Sequence, residues 1–256
     1  MIFFFKKSLG QHFLRDENVL KNIVLLENIK DQTVVEIGPG KGALTKVILN
    51  ENPKKLFLIE KDKSLIPYLN KIEQMNSNIV KVIHNDALKI NFKKLDDNQL
   101  ILIANLPYNI ASTLIIKLLR ESNIFKSMIL MVQREVAERL SAEVSSKAYG
   151  RTSVLIQTQS QIKKCFDVAP EKFFPKPKVF STVIEIIPSK NKNFDYKKLD
   201  KVLKLSFKQR RKTLKNNLKF LSKESVKQIS SSGINLSLRP QEIKPEEFIK
   251  LSELII

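Results

Sequence analysis

An α/β fold, a seven-stranded and mostly parallel sheet followed by a small all-helical C-terminal domain, is predicted by three observations. Short β-branched runs alternate with helical-period segments through the first half of the chain. Two further apolar runs follow with no long helical pattern between them, and residues 186–256 carry apolar side chains at three-to-four spacing among lysines. The chain has 256 residues, 43% hydrophobic and 28% charged, enough to bury a sizeable core, which excludes wholesale disorder.

Taken in order, strands are expected at TVVEIG (33–38), LFLIE (56–60), IVKVIHND (79–86), LILIAN (100–105) and MILMVQ (128–133). Helical patterns fall near 42–50, 63–74, 110–121 and 134–144, an alternation that covers both faces of a parallel sheet and leaves ligands at the carboxyl ends of its strands. SVLIQTQSQI (153–162) and TVIEII (182–187) are expected to pair antiparallel at one edge. The polar, Pro-led stretch PSKNKN (188–193) marks a boundary between a domain of residues 1–187 and one of 188–256. In the second, Leu199, Val202, Leu203, Phe207, Leu214, Leu218 and Leu221 recur at helical spacing.

Charge separates the two parts further. Residues 1–185 hold 28 Lys+Arg and 19 Asp+Glu, net +9, whereas 186–256 hold 17 and 7, net +10 in far fewer residues. The total of +19 draws in polyanions, and nucleic acid is the first partner to consider, although sequence-level charge by itself argues only for non-specific association. The single Cys165 excludes an internal disulfide, and two histidines give no cluster for a structural zinc site. MIFFFKKS falls short of a signal-peptide core, and no window reaches the ~18 apolar residues of a membrane span, so an unprocessed chain in a reducing cytoplasm is expected. Phe3, Phe4 and Phe5 read equally as a sheet cap or a disordered lead.

The chemistry-bearing residues sit at strand ends. Glu36-Ile-Gly38-Pro-Gly40-Lys-Gly42 lets the backbone turn sharply from strand to helix and approach a ligand, with N–H groups at the helix start. Alone this is a weak signal, and it differs from the dinucleotide fingerprint. Glu60 ends the second strand close to the ~20-residue offset at which a carboxylate grips ribose hydroxyls. Asn85-Asp86-Ala87 ends the third, where Asp86 reads either as an acceptor for an adenine amine or as a helix cap. Together they favour an adenosine-containing cofactor.

Asn105-Leu106-Pro107-Tyr108-Asn109 is the most specific signature. Methylating an exocyclic amine, whose lone pair is delocalised into its ring, requires acceptors that hold the amine with that lone pair facing the donor. The Asn105 side-chain carbonyl and the Leu106 backbone carbonyl supply two, Pro107 fixes the backbone, and Tyr108 offers a flat face to an unstacked base.

At these residues the sequence resembles the KsgA-type ribosomal RNA adenine dimethyltransferases. The resemblance is carried by Ser8-Leu-Gly-Gln-His12-Phe-Leu14, Glu36-Ile-Gly-Pro-Gly40, Asn105-Leu-Pro-Tyr-Asn-Ile110, Lys147-Ala-Tyr-Gly-Arg151, Phe173-Phe-Pro-Lys-Pro-Lys-Val179 and Arg210-Arg-Lys-Thr-Leu214, in that order. It implies a class I, Rossmann-like methyltransferase that uses S-adenosylmethionine without metal. Its target would be N6 of two adjacent adenosines near the 3′ end of small-subunit rRNA, in a ribosomal particle, and it would act as a monomer. Matched by position, the cofactor contacts would be His12, Leu14, Gly38, Gly40, Glu60, Asp86, Ala87 and Asn105, and the acceptor turn Asn105 to Tyr108. Phe173 takes the place of an aromatic that helps hold the target base, with Phe174 beside it. Two departures stand out: many relatives have Asn where His12 stands, and often a small or acidic residue where Phe180 stands.

Arg210, Arg211 and Lys212, with Lys208, form a dense basic run on a predicted helix and are the candidate rRNA phosphate contacts. Cys165 lacks a preceding Pro and reads as structural. Two other functions remain open. One is the related enzyme type that methylates one adenosine of large-subunit rRNA and confers antibiotic resistance; the other is a nucleic-acid-binding relative that kept the fold without the chemistry.

Overall fold

A computed structural model describes residues 12–96, 99–190, 193–219, 221 and 223–255. The Phe3–Phe5 run and Ser8 to Gln11 lie outside the described residues. The chain forms two compact units, one running up to Ala137 and resuming at Gln161–Pro188, the other comprising Glu138–Ser160 and Ser189–Ile256.

The first unit begins with β1 (Phe13–Leu14) and α1 (Glu17–Val24), then alternates β2 (Thr33–Ile37), α2 (Ala43–Asn50), β3 (Lys55–Glu60), α3 (Ile66–Met75), β4 (Val80–His84), β5 (Leu100–Asn105), α4 (Ala111–Arg120) and β6 (Phe125–Gln133). Helix α5 (Arg134–Leu140) and helix α6 (Arg151–Gln157) precede β7 (Ser160–Val168), β8 (Phe173–Phe174) and β9 (Ser181–Pro188). Seven strands make one sheet in the order β4-β3-β2-β5-β6-β9-β7. β2 pairs in parallel with β3 and β5, β3 with β4, β5 with β6, and β9 runs antiparallel to β6. β1 and β8 form a separate two-stranded sheet with Phe13 opposite Phe174 and Leu14 opposite Phe173.

The strand order turns at β2: the chain first builds outward through β3 and β4, then returns to β2's other edge with β5. Helices leaving that point diverge, and a crevice opens at the carboxyl ends of β2 and β5. All five residues of β2 are buried, as a strand covered on both faces must be. Leu20, Ile23 and Val24 of α1, one face at helical spacing, join Leu44, Ile48 and Leu69 against Val34, Leu58, Ile101, Ile103 and Ile129.

The second unit gathers α6 with α7 (Tyr196–Ser206), α8 (Leu214–Asn217), α9 (Lys223–Ser231) and α10 (Pro245–Leu254). Its core contains Leu199, Val202, Leu203, Leu214 and Leu218 as the spacing predicted, together with Tyr149, Val154, Leu155, Phe248 and Leu251.

Three expectations are corrected. The run at 153–162 is not one strand: Arg151–Gln157 is helical and the strand starts at Ser160. Ser153, Val154, Leu155 and Ile156 are all buried, so this helix shows no amphipathic period, and a short apolar run is ambiguous between the two structures. The boundary near residue 188 is where the units part, but Glu138–Ser160 belongs to the helical unit and not to the first. Lys208 to Lys212 are not helical either; they form the turn between α7 and α8, closed by Lys212 N–H donating to the Gln209 carbonyl at 3.0 Å.

Candidate active site

The loop after β2 is shaped by glycines in the left-handed region, Gly38 at φ 68° and Gly40 at φ 61°. Gly38 N–H reaches back to the Ile59 carbonyl at 2.9 Å, which ties the loop to the end of β3. At Gly40 a side chain is excluded twice, by its φ and by the Phe13 ring, whose nearest carbon would lie 2.5 Å from an added Cβ.

This loop forms one wall of a cavity of about 330 Å³ at the carboxyl edge of the sheet, within the size range of small-molecule sites. His12, Leu14, Gly38, Gly40, Glu60, Asp86, Ala87, Asn105, Leu106, Pro107 and Tyr108 all line it, so the strand-end residues singled out in the sequence, Gly42 excepted, converge here.

Three acids differ in state. Glu60 accepts from the Asp62 N–H at 2.7 Å and the Gly40 N–H at 3.3 Å. Burial nonetheless holds its carboxyl above the ordinary range, against those two donors. Glu36, which sequence reading did not single out by itself, also lines the cavity. Burial pushes its carboxyl up to about 8, opposed by the Thr45 hydroxyl that donates to it at 2.6 Å, so near neutrality it is a protonated acid. A lone acid in an otherwise apolar, fully buried strand was the signal available for it. Asp86 is held low, first by its hydrogen bond with Lys61, whose Nζ lies 2.8 Å away. Its other oxygen accepts from the Leu88 N–H at 2.9 Å, so Asp86 both lines the cavity and caps the following turn.

The Asn105 turn is fixed by an unexpected partner. The Asn105 Nδ2 donates to the His12 backbone carbonyl at 3.0 Å. A carbonyl can only accept, so this contact determines which end of the amide is nitrogen and leaves Oδ1 as the acceptor of the turn. The His12 ring stacks on Tyr108 with centroids 5.4 Å apart and planes 26° from parallel, and its Nδ1 lies 2.7 Å from the Pro175 carbonyl. The Tyr108 hydroxyl is 2.9 Å from the buried Ser181 Oγ. His12, expected only as a cofactor contact, thus joins the Asn105 turn to the Pro-rich loop.

Phe173 is not among the lining residues. It is 4% exposed and packs in the core beside Leu14, whereas Phe174 is 45% exposed with the Arg15 guanidinium 4.1 Å from its ring centroid. Arg210, Arg211 and Lys212 are exposed, but the Arg210 guanidinium donates to the Tyr149 carbonyl at 2.7 Å and the Lys147 carbonyl at 3.0 Å. The Lys147–Arg151 and Arg210–Leu214 motifs therefore meet each other within the second unit. Among the described residues no helix is long and apolar enough to cross a membrane, and no group of three His, Cys, Asp or Glu could hold a metal ion.

The chain as a whole has counterparts among known proteins. Over residues 2–256 the chain matches the family Ribosomal RNA adenine dimethylase. It is 41% identical over 254 residues to the Ribosomal RNA small subunit methyltransferase A of Wolbachia pipientis subsp. Culex pipiens (strain wPip), covering 98% of this chain and 96% of that one. The protein of the same name from Ehrlichia chaffeensis (strain ATCC CRL-10679 / Arkansas) is 41% identical over 253 residues, with 98% and 96% covered. A solved dimethyladenosine transferase from Plasmodium falciparum is similar in fold, with a TM-score of 0.80 at 28% identity over 93% of this chain and 95% of the other. With a match along nearly its whole length, and with the strand-end residues gathered at one cavity, the chain belongs to the ribosomal RNA adenine dimethylase family.

Proposed function

We propose that this enzyme transfers methyl groups from S-adenosylmethionine to N6 of two adjacent adenosines near the 3′ end of small-subunit rRNA, giving N6,N6-dimethyladenosine. The observation that carries this reading is the orientation of Asn105. His12 holds its amide nitrogen, so an acceptor oxygen stands at the turn where an exocyclic amine must be held.

The cavity fits an adenosine-containing methyl donor. Glu60 would accept from ribose hydroxyls, Asp86 and Ala87 would meet the adenine edge, and the Gly38–Gly40 backbone with His12 and Leu14 would hold the remainder. When bound, the donor supplies a methyl group on a positively charged sulfur. Asn105 Oδ1 and the Leu106 carbonyl accept from the substrate amine and turn its lone pair toward the cavity. Pro107 fixes that turn, and Tyr108, its hydroxyl held at Ser181, presents its ring to the base. The donor would supply its methyl directly to the adenine nitrogen that Asn105 and Leu106 orient, its bonding pair leaving with sulfur, and the amine would then release its proton to water. No strong base is needed; positioning carries the catalysis.

Phe173 would act from the core, anchoring the loop that carries Phe174. Arg211 and Lys212 would contact rRNA phosphates, with the second unit as the RNA-binding part. The complete cavity within a single unit supports a monomer acting on an assembling small-subunit particle, and the single cysteine supports a reducing cytoplasm. The test is transfer of labelled methyl from S-adenosylmethionine by the purified protein. Label in small subunits lacking the modification is expected; label in large-subunit RNA would favour the resistance type, and label in neither would favour a binding factor.

A further inference from the structure

Three of the six large apolar side chains exposed among the described residues fall within seven residues of one loop: Phe174 at 45%, Val179 at 44% and Phe180 at 42%. An exposed apolar cluster of this kind marks an interaction surface. Each phenylalanine carries a guanidinium over its ring, Arg15 at 4.1 Å from the Phe174 centroid and Arg134 at 4.3 Å from that of Phe180. Arg134 is further fixed, its backbone N–H donating to the Phe180 carbonyl at 3.0 Å and its guanidinium pairing with Asp167 at 2.7 Å.

Both rings adjoin the candidate active site. Phe174 pairs in register with Phe13, and Phe13 and Arg15 line the cavity. Phe180 precedes Ser181, which holds the Tyr108 hydroxyl, and the carbonyl of Pro175, next to Phe174, meets His12.

We infer that Phe174 and Phe180, each with its arginine, form a stacking platform for unpaired RNA bases flanking the adenosine being methylated. This rests on the proposed rRNA substrate. An aromatic face accepts any base, and a guanidinium beside it adds attraction for the phosphate and for the base's π-face. A protein partner is the less favoured occupant, because a guanidinium over each exposed ring suits a nucleic acid better than an apolar protein surface. A base that enters the cavity must leave its stack, and in a single-stranded substrate the platform would receive its neighbours at the entrance.

The chain contains no tryptophan, so Phe174→Trp and Phe180→Trp each introduce a single indole reporter. The probe is a single-stranded RNA of about twelve nucleotides containing two adjacent adenosines, long enough to cover a stacking site of the usual size. Saturable quenching of both indoles is expected, with little from a duplex of the same strand. The Phe174→Ala/Phe180→Ala pair should bind the single strand on the order of 10-fold more weakly or worse. Its S-adenosylmethionine affinity should stay within about twofold, since neither ring lines the cavity, and this also reports an intact first unit. Indoles unmoved by RNA, or an alanine pair that binds like the parent, overturn the platform and leave the patch to a protein partner. These readings do not depend on methyl transfer; a wild-type protein that transfers nothing to small subunits would count against the proposed function alone.

Discussion

The two units use their signature residues in opposite ways. In the first, residues distant in sequence, from His12 to Tyr108, converge on one cavity and line it. In the second, Arg210 binds the carbonyls of Lys147 and Tyr149, the Tyr149 hydroxyl donates to the Ile243 carbonyl at 2.9 Å, and Arg151 pairs with Asp200 at 2.5 Å. A motif that lines a cavity is equipped to act on something else, whereas a motif bonded to itself holds a fold together. The difference shows that the basic run read as phosphate contacts includes, in Arg210, a side chain that also ties together two segments of its own unit.

The largest effect should come from the first unit. Asn105→Ala removes the oriented acceptor and is expected to cut turnover by roughly 10²-fold or more while RNA affinity stays nearly unchanged, as steady-state kinetics on unmodified small subunits would show. A loss in substrate affinity alone would mean that the turn only shapes the cavity.

Glu60→Ala should weaken S-adenosylmethionine binding by about 1.5–3 kcal/mol, the usual worth of hydrogen bonds to a charged group, as measured by calorimetry. Unchanged affinity in a folded variant would remove Glu60 from the site.

In the second unit the contrast predicts that single substitutions separate what a triple change would merge. Arg210→Ala should lower unfolding stability by about 1–3 kcal/mol, because two carbonyls lose their charged donor. The Arg211→Ala/Lys212→Ala pair should leave stability almost untouched and flatten the salt dependence of RNA binding by up to ~2 in log–log slope. If Arg210→Ala flattens the slope without destabilising, the clamp is wrong.

A further effect, spread over several pH units, concerns stability. Glu36 has a folded value near 8 against an ordinary 4.5, so the folded state holds a proton that the unfolded chain releases between those values. Stability should therefore fall as pH rises across that window, by at most about 1.4 kcal/mol per pH unit from this group. Glu36→Gln should remove that slope, which denaturant titrations at several pH values would detect.

Much of the first unit was legible in the sequence because its signals are local. A run such as LILIAN reads as a strand because β-branched residues between turn formers have few other uses, and the turn after it needs its Asn and Pro in adjacent positions. The placement of Glu60 followed from its position at the end of LFLIE and its offset from the glycine loop. Arg151–Gln157 was not legible, because a helix buried on all sides loses the period that identifies helices. Nor could the sequence show which nitrogen or carbonyl His12 would meet, since its partners Asn105 and Pro175 are brought to it by the sheet.

Sequence by itself determined the alternating architecture, the strand-end chemistry and the excess of positive charge, all of which depend on residue type and short spacing. Tertiary structure alone decided that Glu138–Ser160 joins the helical unit, that Arg210 is a clamp, and that Phe173 is core while Phe174 is surface. The physical reason is the same in each case. Neighbouring residues in a strand point to opposite faces, and a guanidinium donates to whatever acceptor lies within reach, so burial and pairing are settled by which segments meet in space.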